Sequence, residues 1–316
     1  MTHTVVTGAA GYVGTALVAT LAHTVPPGSM LIATDRRLAE SAAALRLRPV
    51  EGDITDDAVL DALFAEPVTT LFHLAGVVSG AAEADFDTGR RINLVATMAL
   101  LERCRRQAES GGPVVRFIYA SSIAVFGTPL PRRIDDATAP APTLSYGTHK
   151  RVVELLIDDA TRRGELDGRA LRLPGIVVRP ALPNGALSGF NSDLIREPLA
   201  GNRYVCPVAA EATIWIASLH DAIANLLRLS GVDGHAIGPQ RAITMPALAV
   251  RVADIVAAIA RVEPAAAARI EHRPLPAIEA QFGCWPLDCT FAKGQALGLV
   301  ADASIDDVVR RHREPA

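Results

Sequence analysis

The first 180 residues of this 316-residue chain alternate short apolar runs with longer stretches of helical spacing, and this alternation limits the possible folds more than any other feature. The apolar runs are rich in Val, Ile, Leu and Phe, which is typical of strands buried on both faces of a sheet. Strands are predicted at Thr4–Thr7, Met30–Thr34, Pro49–Gly52, Leu71–Leu74, Val114–Ala120 and Ala170–Val178. Helices are predicted between them at Tyr12–Thr24, Leu38–Leu45, Asp56–Phe64, Phe86–Glu109 and Ser145–Arg163. The pattern predicts βαβ units and hence an α/β fold with a doubly wound parallel sheet.

Composition and charge argue against several classes of function. The net charge is −3 and no segment is strongly basic, so neither nucleic acid nor an anionic membrane surface is an expected partner. The chain begins with a strand rather than a signal peptide, and it has no apolar run of the roughly 18 residues that a membrane helix needs. The four cysteines and eight histidines show no zinc-binding spacing. We expect a cytoplasmic protein with free thiols and no bound metal.

A glycine-rich turn, Gly8-Ala9-Ala10-Gly11-Tyr12-Val13-Gly14, joins the first predicted strand to the first predicted helix. A pyrophosphate at a helix N-terminus needs backbone N–H groups nearby and no side chain in the way. Gly8 permits the tight turn, Gly11 lets the backbone approach the pyrophosphate, and Gly14 lets the helix pack on the strand. Any strand-to-helix turn can use glycine, so the pattern needs support from its surroundings. It predicts a Rossmann domain that binds a dinucleotide through Gly8, Gly11, Tyr12, Val13 and Gly14.

Acidic residues after the next two strands extend this pattern. Asp35 ends the second strand about 20 residues beyond the turn, where an acid binds the adenosine ribose hydroxyls. A carboxylate there repels the 2′-phosphate of NADP, so NAD is the predicted cofactor, although Arg36 or Arg37 could bind that phosphate. Asp53 and Ile54 follow the third strand and could hold the adenine. Asp53 could equally cap the helix that comes next.

Tyr146 and Lys150 stand four residues apart at the start of a predicted helix, so they share one face of it. A tyrosine that abstracts a proton near neutral pH needs its pKa lowered from about 10. A neighbouring ammonium would lower that pKa by favouring the phenolate. Ser122 ends the fifth strand, at the edge where open α/β sheets bind ligands, and could hydrogen-bond the reacting oxygen. Its alternative role is to cap the turn that follows.

The combined motif set resembles the extended short-chain dehydrogenase/reductases, the clan of nucleotide-sugar epimerases and dehydratases. The resemblance covers essentially the whole chain. The residues that carry it are the glycine turn, Asp35, Asp53-Ile54, His73-Leu74-Ala75-Gly76, Asn93, Ser122, Tyr146 and Lys150.

This resemblance implies further site residues and an assembly. Leu74, Ala75 and Gly76 would lie along the cofactor diphosphate and the nicotinamide ribose. Lys150 would also hold that ribose, and Leu173 and Pro174 would line the nicotinamide. Asn93, counted with the cofactor site, would support the fold beneath it. Relatives usually pair through their two long helices, here Phe86–Glu109 and Ser145–Arg163, so a homodimer is expected.

The composition changes after Pro180, and this change predicts a second lobe. Residues 180–211 are rich in Gly, Pro, Asn and Ser. Helices are predicted beyond Pro180 at Ser192–Ala200, His220–Ser230, Pro246–Ala260 and Asp302–His312. We predict an NAD-binding Rossmann domain over residues 1–179, to which a segment near 213–232 returns, and a smaller C-terminal α/β lobe over 180–316 that mainly binds substrate.

Several stretches of the chain resemble the family members that oxidise the C2 hydroxyl of a four-carbon sugar acid to a 2-keto acid. These stretches are 77–87, 171–185, 195–201, Trp285-Pro286 and 297–302. Two positions near the expected active site depart from that likeness, since His149 and Gly175 stand where Gln and Thr are expected.

A sugar acid needs a cation for its carboxylate, which an arginine can hold through two parallel hydrogen bonds. Arg179 follows the sixth predicted strand at the mouth of the site and is the first candidate, with Arg196 second. Either could instead form an ion pair at the surface or between lobes. The remaining hydroxyls would be bound by Ser79, Asn184, Ser188 and Asn191, although Ser and Asn are common in loops of any kind.

Three functions are compatible with these residues. The first is an NAD-dependent dehydrogenase that oxidises the C2 hydroxyl of a small sugar acid. The alternative is an NDP-sugar 4-epimerase, which would use the same Ser122, Tyr146 and Lys150 but return the hydride to its substrate. The third is a nonenzymatic protein that senses NAD(H), a reading that the presence of both Tyr146 and Lys150 disfavours.

Overall fold

The computed structural model of the protein describes residues 3–24, 28–38, 47–181 and 187–313. The strands in this part of the chain are β1 (His3–Thr7), β2 (Met30–Asp35), β3 (Leu47–Glu51), β4 (Val68–His73), β5 (Val115–Ser122), β6 (Arg133–Ile134), β7 (Leu166–Leu173), β8 (Gly175–Val177), β9 (Tyr204–Cys206), β10 (Thr213–Ser218), β11 (Ala242–Thr244), β12 (Leu248–Arg251), β13 (Ile270–His272) and β14 (Asp288–Cys289).

The helices are α1 (Tyr12–Thr24), α2 (Asp57–Leu63), α3 (Ser79–Ala84), α4 (Phe86–Arg90), α5 (Ala96–Glu109), α6 (Ser145–Arg162), α7 (Phe190–Leu199), α8 (Leu219–Gly231), α9 (Gly234–Ile237), α10 (Val252–Val262), α11 (Pro264–Ala267), α12 (Pro276–Phe282), α13 (Ala292–Ala296) and α14 (Ile305–Arg313). A π-helical turn, Arg91–Val95, joins α4 to α5. The predicted helix Phe86–Glu109 is therefore helical throughout, with one wider turn in it. Of the predicted helix Leu38–Leu45, residues 39–45 lie outside the described part of the chain.

Seven strands form the central sheet, in the order β3-β2-β1-β4-β5-β7-β11. Each neighbouring pair runs parallel. The order of the strands reverses between β1 and β4, and a crevice at such a reversal is where open α/β sheets bind their ligands. The structure confirms the predicted α/β fold with a doubly wound parallel sheet.

Helices cover both faces of this sheet, so its inner strands are largely buried on both sides, whereas the edge strand β3 is not. One core includes Leu60 of α2, Leu100 of α5 and Val153 of α6. The other includes Leu17 of α1 and Leu226 of α8. Burial on both faces is why the strands carry continuous apolar runs rather than an alternation of apolar and polar residues.

The predicted strand Ala170–Val178 is wrong in one respect, because it is two strands in two sheets. β7 ends at Leu173 and belongs to the central sheet, whereas β8 begins at Gly175 and pairs with β10 in a second sheet of order β12-β10-β8. Pro174 lies between them. Because proline has no N–H to donate to a ladder, the chain leaves the first sheet at this residue.

The predicted helix Pro246–Ala260 is wrong in its first half, where β12 lies. β12 pairs antiparallel with β10, and α10 begins only at Val252. The boundary carries a capping interaction, in which the Asp254 carboxylate accepts a hydrogen bond from the Arg251 backbone N–H at 3.0 Å. Pairing with a strand far along the chain overrode the helical spacing, which is a local signal.

The chain crosses between its two parts more than once. β10 and α8, residues 213–231, follow the lobe segments, and α8 packs against α1. β11 then adds an edge strand to the central sheet beside β7. No helix in the described residues is long and apolar enough to cross a membrane.

Candidate active site

A cavity of about 810 Å³ lies at the carboxyl ends of the central strands. It extends from the glycine turn after β1, past the ends of β4, β5 and β7, to aromatic side chains contributed by residues beyond 210. The predicted site residues that line it are Gly8, Gly11, Tyr12, Val13, Gly14, Leu74, Gly76, Ser79, Ser122, Tyr146, Lys150, Leu173, Pro174, Arg179, Ser188 and Asn191.

Two glycines of the turn, Gly8 and Gly14, have no room for a side chain. Gly8 has φ +70°, and a Cβ there would lie 2.6 Å from the Ala75 backbone nitrogen. A Cβ on Gly14 would overlap the Gly8 carbonyl oxygen, so α1 starts in direct contact with β1. The exposed backbone at the N-terminus of α1 fits a dinucleotide pyrophosphate, because its N–H groups and helix dipole attract negative charge.

Asp35 lies next to this turn, at the end of β2. Its Oδ2 accepts a hydrogen bond from the Ala10 backbone N–H at 3.0 Å, and its Oδ1 accepts one from Arg36 at 2.7 Å. The carboxylate is therefore held beside the turn that would take the pyrophosphate, which suits a group that binds the neighbouring ribose.

Asp53 and Ile54 do not line the cavity formed by the described residues. The Asp53 carboxylate accepts hydrogen bonds from the backbone and the hydroxyl of Thr55, at 2.9 and 2.8 Å, and lies 3.5 Å from the Arg91 guanidinium. These bonds hold the pKa of Asp53 below its usual value against the opposing effect of burial. Ile54 packs in the core beneath α2. The alternative role of Asp53, as the cap of the next helix, is wrong, because Asp56 occupies the N-cap of α2.

Asn93 acts on the cofactor side of the cavity through the backbone of Val77. Its Oδ1 accepts from the Val77 N–H at 2.7 Å and its Nδ2 donates to the Val77 carbonyl at 2.9 Å. The side chain is 2% exposed and does not itself line the cavity. Ala75 also stays outside the lining, where its N–H donates to the Thr7 hydroxyl at 3.3 Å.

Ser122, Tyr146 and Lys150 meet at the centre of the cavity. β5 brings Ser122 to the sheet edge, and α6 presents Tyr146 and Lys150 one turn apart. The Ser122 hydroxyl hydrogen-bonds the Tyr146 phenol and also accepts from the Ala124 N–H at 3.2 Å, so its capping role is observed and its catalytic role stays a prediction. The Lys150 Nζ donates to the Ala120 carbonyl at 2.6 Å and lies 5.5 Å from the centre of the Tyr146 ring.

The expected lowering of the Tyr146 pKa is wrong for this structure. Burial raises the pKa of Tyr146, and its hydrogen bond with Ser122 and the charge of Arg179 oppose that rise without overcoming it. Burial also lowers the pKa of Lys150 to about 7, against the pull of Glu154. Loss of water around a buried charge outweighs the help of a neighbour, which residue spacing alone does not reveal.

On the substrate side, Arg179 reaches the cavity and Arg196 does not. The Arg179 Nε donates to the Ile176 carbonyl at 3.0 Å, and no carboxylate among the described residues lies within ion-pair distance of it. Arg196 instead pairs with Asp193 at 2.6 Å and donates to the Arg179 carbonyl, also at 2.6 Å. Its ion-pair alternative is therefore the observed one.

The other predicted substrate residues have mixed positions. Ser79 and Asn191 are both buried and line the cavity, as does Ser188. Asn184 lies outside the described residues. Gly175 lines the cavity, whereas His149 does not and packs 6.1 Å from the Phe86 ring.

Sequence reasoning missed the role of the aromatic wall. Trp215 and Trp285 both line the cavity, with ring centres 5.0 Å apart, and Phe282 lines it as well. They come from β10 and from segments around α12, which no local pattern ties to the Rossmann domain. The composition carried one usable signal, because these are the chain's two tryptophans.

A crevice at a sheet reversal that joins a glycine turn at a helix N-terminus to a Ser/Tyr/Lys centre is typical of Rossmann-fold nucleotide-dependent oxidoreductases. Within that class, the chain belongs to the NAD-dependent epimerase/dehydratase family, whose sequence model matches residues 4–210. It is an NAD-dependent oxidoreductase, and the predicted family, enzyme class and cofactor are confirmed.

Named relatives and one solved structure cover most of the chain. It is 44% identical to a D-erythronate dehydrogenase of Cupriavidus necator, over 86% of this chain and 83% of that one. It is 36% identical to a D-erythronate dehydrogenase of Haemophilus influenzae, over 85% and 84%. The crystal structure of a nucleoside-diphosphate-sugar epimerase from Agrobacterium tumefaciens superposes with a TM-score of 0.90 at 34% identity, over 99% of this chain and 94% of that one.

Proposed function

We propose that this enzyme oxidises the C2 hydroxyl of a small sugar acid similar to D-erythronate to the 2-keto acid, with NAD⁺ as oxidant. The observation that carries the proposal is a single arginine, Arg179, beside the reactive tyrosine. Among the described residues, the cationic side chains that line the cavity are Lys150 and Arg179. Lys150 already donates a hydrogen bond to the Ala120 carbonyl beside the tyrosine. Arg179 is therefore the cation that is available to bind the carboxylate of a substrate.

The likeness to dehydrogenases of a four-carbon sugar acid agrees with this charge arrangement. Ser79, Ser188 and Asn191 offer polar groups for the remaining hydroxyls, as Asn184 would from the segment outside the described residues. Arg196 contributes indirectly, since it holds the Arg179 carbonyl.

The chain's own residues bring about proton removal and alignment. Bound NAD⁺ supplies the hydride acceptor. Tyr146, as phenolate, takes the proton of the C2 hydroxyl while Ser122 hydrogen-bonds the same oxygen. Because burial raises the pKa of Tyr146, this phenolate depends on the opposing effects of the Ser122 hydrogen bond and the Arg179 charge. The hydrogen on C2 would leave as hydride to this acceptor, so that C2 would become a ketone carbon. Lys150 supports the phenolate electrostatically, and Leu173 and Pro174 give the nicotinamide an apolar wall.

The test follows NADH absorbance while the enzyme turns over NAD⁺ with a panel of aldonates. We expect steady NADH formation with a four-carbon acid and accumulation of a 2-keto acid. Substrate deuterated at C2 should pass its deuterium to the cofactor and react more slowly, whereas deuterium at C3 should stay in the product. Transfer from C3, or no NADH with any aldonate, would contradict the proposal.

The variant that tests the proposed base is Tyr146→Phe, which removes only the phenol oxygen of Tyr146. We expect the turnover rate to fall by about 100- to 10,000-fold, which is the usual contribution of a positioned acid–base group. The affinity for NAD⁺, measured by calorimetry, should change little. A variant that keeps most of its activity would show that another group takes the proton.

An NDP-sugar 4-epimerase is the second candidate, and the likeness to the Agrobacterium tumefaciens structure favours it. An epimerase returns the hydride to its substrate, so NADH does not accumulate. Incubation with UDP-sugars, followed by separation of the sugar products, distinguishes the two reactions. Sugar interconversion without NADH would establish the epimerase. Tight NAD binding with neither reaction would establish the sensor.

We also propose that the enzyme is a homodimer. Within each chain, the Rossmann domain would bind NAD and the C-terminal lobe would mainly bind substrate, as the sequence predicts. The helices expected to pair carry exposed apolar side chains, namely Val95 at 47%, Met98 at 47% and Leu155 at 50%. Burying such side chains against a second copy is favourable. Residues 1–179, with the returning segment near 213–232, would hold NAD, and residues 180–316 would mainly hold the substrate.

A further inference from the structure

The mechanism above gives no role to the buried carboxylate of Glu154. It lies on α6 one helical turn beyond Lys150, and its side chain is 0% exposed. A carboxylate is rarely buried unless it is paired and hydrogen-bonded. The identity of its partners therefore indicates what this charge does.

Glu154 ties the catalytic helix to two strands of the central sheet. Its Oε1 accepts from the Ser121 hydroxyl of β5 at 2.7 Å. Arg172 of β7 donates to both carboxylate oxygens at 2.8 Å, which is the strong bidentate geometry. Arg151 on α6 donates to Oε2 at 3.1 Å.

Each strand contact is next in sequence to a residue of the active centre. Ser121 precedes Ser122, and it follows Ala120, whose carbonyl accepts the Lys150 bond. Arg172 precedes Leu173 and Pro174, which line the cavity. A shift of Glu154 would therefore move both the serine strand and the expected nicotinamide wall relative to Tyr146 and Lys150.

We propose that Glu154 is a positioning residue of the redox centre, which sets Lys150 and Ser122 in register through Ser121 and Arg172 and keeps Lys150 charged through its own negative charge. The proposal rests on the proposed function only in taking Lys150 as the partner of Tyr146. The proposal holds equally whether the enzyme is a dehydrogenase or an epimerase.

The electrostatic part has a definite direction. Burial lowers the pKa of Lys150 to about 7, and the negative charge of Glu154 opposes that fall. Removing the Glu154 charge should lower this pKa further. Removing the positive charge of Arg172 should raise the Lys150 pKa. The guanidinium would then no longer neutralise part of the negative charge that Glu154 exerts on Lys150.

Other titratable groups face this cluster and stay unchanged in the comparison. They are His73 on β4, Tyr119 on β5, Tyr146, His149 and Asp158 on α6, and Lys293 on α13. The Lys150 Nζ lies 4.5 Å from the centre of the Tyr119 ring. A change made only at Glu154 or Arg172 leaves these neighbours in place.

The composition of the chain makes the test direct, because Lys150 and Lys293 are its two lysines. Lysine labelled with ¹³C at Cε should give two resonances, and Lys293→Arg identifies the one that belongs to Lys150. A pH titration of the NAD-bound enzyme then reads the Lys150 pKa without any substrate. Failure of the sugar-acid assay would therefore leave this measurement intact.

We expect Glu154→Gln to lower the Lys150 titration midpoint by about one pH unit and Arg172→Gln to raise it by a similar amount. The high-pH limb of kcat, measured with whichever substrate is turned over, should move in the same two directions. Glu154→Asp, which keeps the charge, should restore most of the midpoint but not all of kcat, since its shorter side chain cannot reach both strands.

Arg151→Gln provides a milder variant in case Glu154→Gln fails to fold. It removes one 3.1 Å bond from a partly exposed side chain and should raise the Lys150 midpoint by less than Arg172→Gln does. Opposite shifts cannot come from a general loss of structure. Identical Lys150 midpoints in wild type and all variants, or shifts of one sign only, would overturn the proposal.

Discussion

Gly175 decides where the Asn191 side chain lies, because a Cβ on Gly175 would be 2.8 Å from the Asn191 Nδ2. The same Cβ would lie 3.2 Å from the Trp215 carbonyl oxygen, so the backbone offers it no alternative space. Asn191 is 5% exposed, and its Oδ1 has no hydrogen-bond partner among the described residues. A buried unpaired acceptor is costly, and a substrate hydroxyl would remove that cost.

Gly175→Ala should therefore displace the Asn191 carboxamide and weaken substrate binding. We expect the KM for the sugar acid to rise about tenfold, equivalent to about 1.4 kcal/mol, with a smaller change in NAD⁺ affinity. Steady-state kinetics and calorimetry measure the two effects. Gly189→Ala is the matched control, since a Cβ there meets no atom within 4 Å. Equal KM values for the two variants would show that Asn191 does not touch the substrate.

At the scale of an element, the π-helical turn Arg91–Val95 sets the direction of the Asn93 side chain. In the sequence this residue is only an asparagine within a predicted helix. Wider turns of this kind occur often at functional sites. Here the turn presents Asn93 to both backbone groups of Val77, just beyond the segment 74–76 expected along the cofactor. The turn and that segment therefore form one unit.

Asn93→Ala should loosen this unit by leaving the N–H and carbonyl of Val77 without their partner. We expect the free energy of unfolding to fall by about 2–4 kcal/mol, as for other buried polar groups left unpaired. The Kd for NAD⁺ should rise in the same variant. Denaturant unfolding and calorimetry give both values.

Asn202→Ala controls for the loss of an asparagine as such. Its Nδ2 donates to the Glu197 carboxylate at 2.8 Å in an exposed contact, which should change stability by less than about 0.5 kcal/mol. If Asn93→Ala lowers stability but leaves NAD⁺ affinity unchanged, the turn supports the fold without shaping the cofactor site.

At the scale of the whole molecule, the helical side that includes α5 and α6 has the apolar exposure expected of a subunit interface. The double variant Met98→Glu, Leu155→Glu would place two carboxylates in the proposed contact between copies. We expect the molar mass measured by light scattering after gel filtration to fall from that of a dimer to that of one chain. Charges forced together in an apolar interface are strongly unfavourable.

Leu275→Glu is the matched control, because Leu275 is 50% exposed, as is Leu155, and lies outside these helices. Its molar mass should equal that of the unaltered protein. A single-chain mass for the unaltered protein at micromolar concentration would contradict the homodimer.

The sequence by itself determined six of the seven strands of the central sheet, all but the edge strand β11, together with the glycine turn and the pairing of Tyr146 with Lys150. These features are local. A strand buried on both faces needs an apolar run, a pyrophosphate turn needs glycine at set positions, and residues four apart on a helix share a face. The predicted helix Tyr12–Thr24 accordingly matches α1 at both ends.

The tertiary structure alone decided which strands leave the central sheet, which arginine reaches the cavity and which way the tyrosine pKa moves. β12 exists because β10 lies beside it, and Arg196 donates to the carbonyl of Arg179, 17 residues earlier in the chain. The pKa of Tyr146 rises because distant segments close over it and remove water. Strand pairing, hydrogen bonding between distant segments and desolvation all depend on residues far apart in the chain, and local spacing carries no record of them.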